Sequence, residues 1–196
     1  MNQSHIDLVD KAIKMRKGAT ETLIQTWIEH KIYFTFEFWM MAAILVVPLI
    51  ILLIKIDKSD IFHICFFGYS VHILSFYLNL VGLNLGLWGY PYQLIPAFPS
   101  FSLDSSLVPV SFMLVYQWTI HKKKNYYLYA IITSVIFAFL VETLFQKMGL
   151  FKIYGDINYL HRLAIYITIS VCAKVMTTIF LKLQKINLLE NRITKE

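Results

Sequence analysis

Five long apolar stretches, each close to the length of a membrane crossing, constrain this chain more than any other feature of its sequence. A helix covers the roughly 30 Å of bilayer hydrocarbon with about 20 mostly apolar residues. Segments 34–54, 61–81, 103–120, 126–145 and 163–181 meet or approach that length. Each holds few charges: Glu37 in the first, none in the second, Asp104 in the third, Glu142 in the fourth and Lys174 in the fifth. The chain is 58% hydrophobic and only 15% charged, with a mean hydropathy of +0.60. A soluble domain is nearer 45–50% apolar and about 25% charged. Helices satisfy every backbone group without an open edge, whereas a β-barrel would show alternating ten-residue segments that are absent here. The expected fold is an all-α integral membrane bundle of about five transmembrane helices, residues 33–182. An N-terminal amphipathic segment (1–32) precedes it and a polar tail (183–196) follows.

Ser4 and Asp7 mark a helix start in the N-terminal segment. Ile6, Val9 and Ile13 follow at helical spacing, Gly18 is expected to interrupt, and Leu23, Ile24, Trp27 and Ile28 form a second stripe. The pattern predicts a pair of helices lying on the bilayer surface. It does not read as a cleavable signal, because the apolar run starts late and no small-residue cleavage site follows. Basic residues bias the orientation. Lys55, Lys58, Lys122, Lys123, Lys124, Lys182, Lys185, Arg192 and Lys195 fall on one side of a five-span bundle. Lys31, Lys147, Lys152 and Arg162 fall on the other. The first side is therefore expected to be cytoplasmic, with the N-terminus outside. The sequence pI of about 9.2 reflects these flanking charges, which meet anionic lipid heads, so nucleic acid is not an expected partner. The expected partners are the lipid bilayer itself and either another membrane protein or a lipid.

Residues 82–102 carry no charge, several aromatics and three prolines, Pro91, Pro96 and Pro99. The prolines forbid a continuous helix. Backbone this irregular and apolar belongs either in the interface, anchored by Trp88, Tyr90 and Tyr92, or over a protein-lined cavity as a lid. Gly82 and Gly86 read as turn chemistry at the preceding helix end.

A resemblance enters at this point. Leu87-Trp88-x-Tyr90-Pro91, Pro96-x-x-Pro99, Asp104, Pro109-Val110, Met113-Leu114-x-Tyr116-Gln117, the late Glu142 and Gly149–Tyr154 form a pattern. It resembles that of an uncharacterised family of small multi-pass membrane proteins of Gram-positive spore-forming bacteria. The likeness implies a bacterial cell membrane location and supplies no activity. Asn79 stands where the family pattern often has Asp, Thr143 where it often has Pro, and Tyr159 near where it often has Trp.

Counting along the helices at about 1.5 Å per residue brings the intramembrane polar groups to one end of an up-and-down bundle. Glu37 lies one turn inside the first span, Asn79 ends the second and Asp104 begins the third. Glu142 sits one turn before the end of the fourth, and His161 and Arg162 precede the fifth. Together these residues are the candidate polar cluster, and the loop of Trp88, Tyr90, Pro91, Pro96 and Pro99 is its candidate lid. Buried carboxylates must be paired or neutralised. Glu142 and Arg162 are expected to pair in a forked geometry. Such a cluster either binds a cation, a polar lipid headgroup or a proton-coupled substrate, or is a static bridge with Asp104 capping its helix. Lys174 is expected to snorkel to the inner interface. Cys65 and Cys172 read as small buried apolar residues with no disulfide framework. His63 and His72, nine residues apart, do not share a face, and no metal-ligand spacing is present, so neither metal nor cofactor is expected. Phosphate loops, nucleophile elbows and dinucleotide fingerprints are absent. The leading expectation is a non-enzymatic accessory or partner-binding membrane protein. A small transporter or binder of a lipid or cation, and a membrane-embedded enzyme acting on a lipid-like substrate, are the alternatives.

Overall fold

The structure is a computed structural model that describes residues 3–193. It is a helical bundle with one two-stranded ladder: α1 (Gln3–Glu29), α2 (Phe36–Lys55), α3 (Ile61–Asn84), β1 (Trp88–Gly89), α4 (Val108–His121), α5 (Tyr126–Val135), α6 (Glu142–Lys147), β2 (Lys152–Ile153) and α7 (Tyr159–Ile193). Two wider π-helical turns, Leu103–Leu107 and Ile136–Val141, lead into α4 and join α5 to α6.

Among the described residues, four helices are long and apolar enough to cross a membrane: Phe36–Lys55, Ile61–Asn84, Tyr126–Lys147 and Tyr159–Ile186. The 103–120 segment is helical but falls short on apolarity, because Asp104, Ser105, Ser106, Ser111 and Gln117 dilute it. Packing explains why that is tolerated. The segment packs against α2, α3 and α5. Leu103, Asp104, Ser106, Val108, Pro109, Val110, Phe112, Met113, Tyr116 and Thr119 along it are buried. A helix screened by neighbours has less need of an apolar surface all round.

Small residues let the helices approach. Ala130, Ala138, Ala173, Ser70, Ser134 and Ser170 are all nearly or fully buried, the composition that promotes helix–helix contact where water supplies no driving force. Around them Phe67 stacks on Tyr116 with ring centroids 4.1 Å apart. Thr35 caps α2 by accepting from the Phe38 N–H at 3.2 Å, and Glu37 in the first turn suits the helix dipole.

Two helix ends shape the loop region. The α3 helix stops at Gly86, at φ 67°, with Leu87 N–H reaching Gly82 C=O at 2.9 Å. Gly149 ends α6 at φ 72°, with Leu150 N–H on Phe145 C=O, also at 2.9 Å. Both are the left-handed stops that only glycine adopts readily. The two emerging segments then pair antiparallel, Trp88 opposite Ile153 and Gly89 opposite Lys152. The Pro-rich loop is thereby tied to the segment following α6.

Several expectations are corrected. The N-terminal segment is one helix that runs through Gly18, not a pair. None of its residues is buried, and Leu8, Val9, Ile13, Leu23, Ile24 and Ile28 remain exposed. Within the polar tail, residues 183–193 are helical as a continuation of α7, and 194–196 lie outside the described residues. Cys65 and Cys172 are exposed on the outside of the bundle.

Candidate functional site

The two π-helical turns carry the site. Asp104 lies in the first and Glu142 directly follows the second. Wider turns of this kind re-aim side chains and recur at functional sites. Both carboxylates point into the bundle and are buried, as are Asn79 and Arg162. All four line one cavity of about 30 Å³, together with Ser75, Tyr90 and Tyr166 among others.

Asn79 is the hub on the α3 side. Its Nδ2 donates to Asp104 Oδ2 at 2.9 Å and to the Tyr90 hydroxyl at 2.9 Å. Its Oδ1 accepts from the Trp88 indole N–H at 2.6 Å. Ser100 Oγ adds a second donor to Asp104 Oδ2 at 2.5 Å. One carboxamide and one carboxylate thus hold both ends of the Pro-rich loop. Trp88 packs so closely that a Cβ on Gly82 would lie 1.8 Å from its ring. Gly82 is therefore a packing glycine, not only turn chemistry. Burial, and the nearby Asp104, push the Tyr90 hydroxyl up, so it remains a neutral phenol.

On the α7 side, Arg162 and Glu142 pair, but not as a two-by-two fork. Arg162 Nε and Nη2 both donate to Glu142 Oε1, at 2.8 and 2.5 Å, and the Tyr166 hydroxyl donates to the same oxygen at 2.7 Å. Oε2 is buried without a hydrogen-bond partner. The guanidinium carbon lies 4.3 Å from the Trp88 ring centroid and 5.2 Å from that of Phe151. Cation–π contact with both faces replaces part of the hydration that Arg162 loses.

Of the residues the sequence singled out, Asn79, Asp104, Glu142 and Arg162 meet at the cavity, and Trp88 and Tyr90 turn inward over it instead of anchoring in an interface. Pro91 is exposed, and Pro96 and Pro99 are half-buried. Glu37, half-buried on α2, does not line the cavity. His161 is exposed at the start of α7, where Asn158 Oδ1 accepts from the N–H groups of Leu160 and His161. Asp104 does not cap a helix; its side chain serves the loop.

Two clusters lay outside the sequence reasoning. Lys174 is half-buried; its Nζ donates to the Tyr116 hydroxyl at 3.0 Å, and His63 Nε2, in the first turn of α3, meets the same hydroxyl at 2.7 Å. Tyr116 is fully buried in α4, and only knowledge that α3, α4 and α7 converge there would have found the trio. At the opposite end from the cavity, Asp57, Asp60 and His121 bring one ligand atom each within 4.8 Å of one another. His121 Nε2 lies 3.1 Å from Asp57 Oδ2. The Ser59 hydroxyl and N–H, then His121, hold the Asp57 carboxyl below its ordinary value. These groups are half-exposed to exposed, as surface ion pairs commonly are.

No family model, no curated protein and no solved structure matches this chain.

Proposed function

We propose that this chain is a non-enzymatic, multi-pass membrane protein that acts through a partner, with its polar core serving to fix the Pro-rich loop. The observation that carries this reading is how the loop is held: Asn79 bonds Trp88 and Tyr90, and Asp104 accepts from Ser100. The cavity these groups line, about 30 Å³, has room for water or an inorganic ion, and among the described residues no activated nucleophile faces it. The loop hangs from Asn79 and Asp104 by direct hydrogen bonds, an arrangement suited to presenting a rigid surface.

Five crossings belong to this reading. His121 at the end of α4 contacts Asp57 in the α2–α3 loop, and Gln117 Nε2 donates to Lys55 C=O at 2.9 Å. These contacts support α4 as a fifth span running the length of the bundle. The Lys-rich end is then cytoplasmic, the location a bacterial plasma membrane, and α1 an interfacial helix. Membership of the family of small multi-pass proteins of spore-forming bacteria is part of the same proposal.

Native mass spectrometry after mild-detergent affinity purification tests the role, comparing wild type with Asp104→Asn. A stoichiometric protein partner is expected in both. A chain that carries no protein, but a lipid or small molecule in wild type alone, would overturn the reading and assign the cluster to ligand binding.

A further inference from the structure

The two buried carboxylates are used asymmetrically. Every hydrogen bond to the Glu142 carboxylate ends on Oε1, and both hydrogen bonds to the Asp104 side chain end on Oδ2. Glu142 Oε2 is buried with no partner, and so is the hydroxyl of Ser75. Glu142, Asp104 and Ser75 are each only 4% exposed, and all three line the same cavity. Buried polar groups in native folds are nearly always satisfied.

Charge gives a second, independent argument. Asp104 and Glu142 carry two formal negative charges and Arg162 one positive. Arg162 directs both bonded nitrogens at Glu142. Asp104 is left with neutral donors only, Asn79 and Ser100. His72 does not pair with that carboxylate. Its Nδ1 lies 2.7 Å from the Asp104 backbone carbonyl, to which it donates. Arg162 and His72 lie near enough to act on it electrostatically, but neither bonds the carboxylate, and a buried charge without a bonded counter-charge is costly.

We infer that the cavity is a binding site for one small monovalent cation, of which sodium is the natural candidate, held by Glu142, Asp104 and Ser75. The donors facing the cavity without partners are oxygens, the ligands hard cations take. A single positive charge brings the site to neutrality, whereas a divalent ion would leave an excess beside Arg162. A volume of about 30 Å³ suits an ion stripped of most of its water, since one water occupies roughly 10–15 Å³ on this measure. Irregular helical turns at both carboxylates match the way membrane proteins build ion sites from interrupted helices. Asp104 also lines a lateral cleft of about 350 Å³ between α3 and the Pro-rich loop, walled by Phe76, Tyr77, Phe98 and Phe101. The carboxylate that lacks a bonded counter-ion is therefore the one with a second approach. This inference does not depend on the partner role.

The test is thermal unfolding of the purified full chain in detergent, with sodium chloride exchanged for choline chloride at constant ionic strength and pH. At ten times its Kd, sodium is expected to raise Tm by about 3–5 °C over choline. Ser75→Ala keeps both charges and should reduce the shift. Asp104→Asn should abolish it while leaving Tm in choline equal or higher. Equal Tm in sodium and choline would overturn the inference. So would a Tm that follows pH but not sodium, which would make the occupant a proton, or an undiminished sodium shift in Asp104→Asn.

Discussion

Replacing Asn79 with alanine is the most informative single perturbation of the polar core. Asn79 accepts from the Trp88 indole at 2.6 Å and donates to Asp104 and Tyr90 at 2.9 Å each. Truncation leaves the Trp88 N–H, 4% exposed, without an acceptor and takes one of two donors from the Asp104 carboxylate. Each buried polar group left unpaired costs about 1–3 kcal/mol, more where a charge is involved. Two such groups, partly relieved by water entering the space vacated, give an expected loss of about 3–5 kcal/mol. Asn84→Ala is the matched control. That side chain is exposed and bonds only its own helix, at Leu80 C=O, so its loss should stay within about 0.5 kcal/mol. Equilibrium unfolding in mixed detergent and SDS, followed by circular dichroism and tryptophan fluorescence, measures both. An Asn79→Ala loss below about 1 kcal/mol would refute the view that this residue holds the loop to the bundle.

Further outcomes follow from the same geometry. Gly82→Ala places a Cβ 1.8 Å from the Trp88 ring, so it should cost about 1–3 kcal/mol or more by overpacking, with a shifted Trp emission as its signature. Tyr116→Phe removes the hydroxyl shared by Lys174 and His63. It should destabilise by about 1–3 kcal/mol, and a double-mutant cycle with Lys174→Met should show coupling above about 0.5 kcal/mol. Asp57 has a carboxyl held below its ordinary value of 3.8 in the folded chain. The stability it contributes is present above 3.8 and is lost as pH falls through the lowered value. Asp57→Asn should therefore lower stability slightly near neutrality and flatten the acid limb, so that wild type and variant converge as pH falls through the lowered value.

What the sequence disclosed, and what it hid, divide along physical lines. The apolar stretches over α2, α3 and α7 announce themselves because length and hydropathy are local properties. Asn79, Asp104, Glu142 and Arg162 were traceable to one end of the bundle by counting residues along the helices, since rise per residue is fixed. Rotation about each axis is not fixed by that count. Glu37 and His161 share the level of the cluster yet lie away from it for that reason. The π-helical turns at Leu103–Leu107 and Ile136–Val141 alter the rotation locally, and no residue pattern signals them. Trp88 and Tyr90 have the composition of interfacial anchors, but the pairing of β1 with β2 and the space beside Gly82 turn them inward. Lys174 is half-buried and bonds a hydroxyl that no local pattern points to. Its partner Tyr116 comes from a helix 58 residues away in sequence, a distance over which composition carries no information.

In the proposed topology five helices cross the membrane, with the carboxylate cavity beneath the Pro-rich loop at one end. Single cysteines at positions 58, 95, 123 and 155, in a chain with Cys65 and Cys172 replaced by serine, test it directly through labelling of intact cells by an impermeant maleimide. Positions 95 and 155 should label from outside, and positions 58 and 123 only after permeabilisation. Labelling of 58 and 123 from opposite sides would show that α4 does not cross, and would contradict the account.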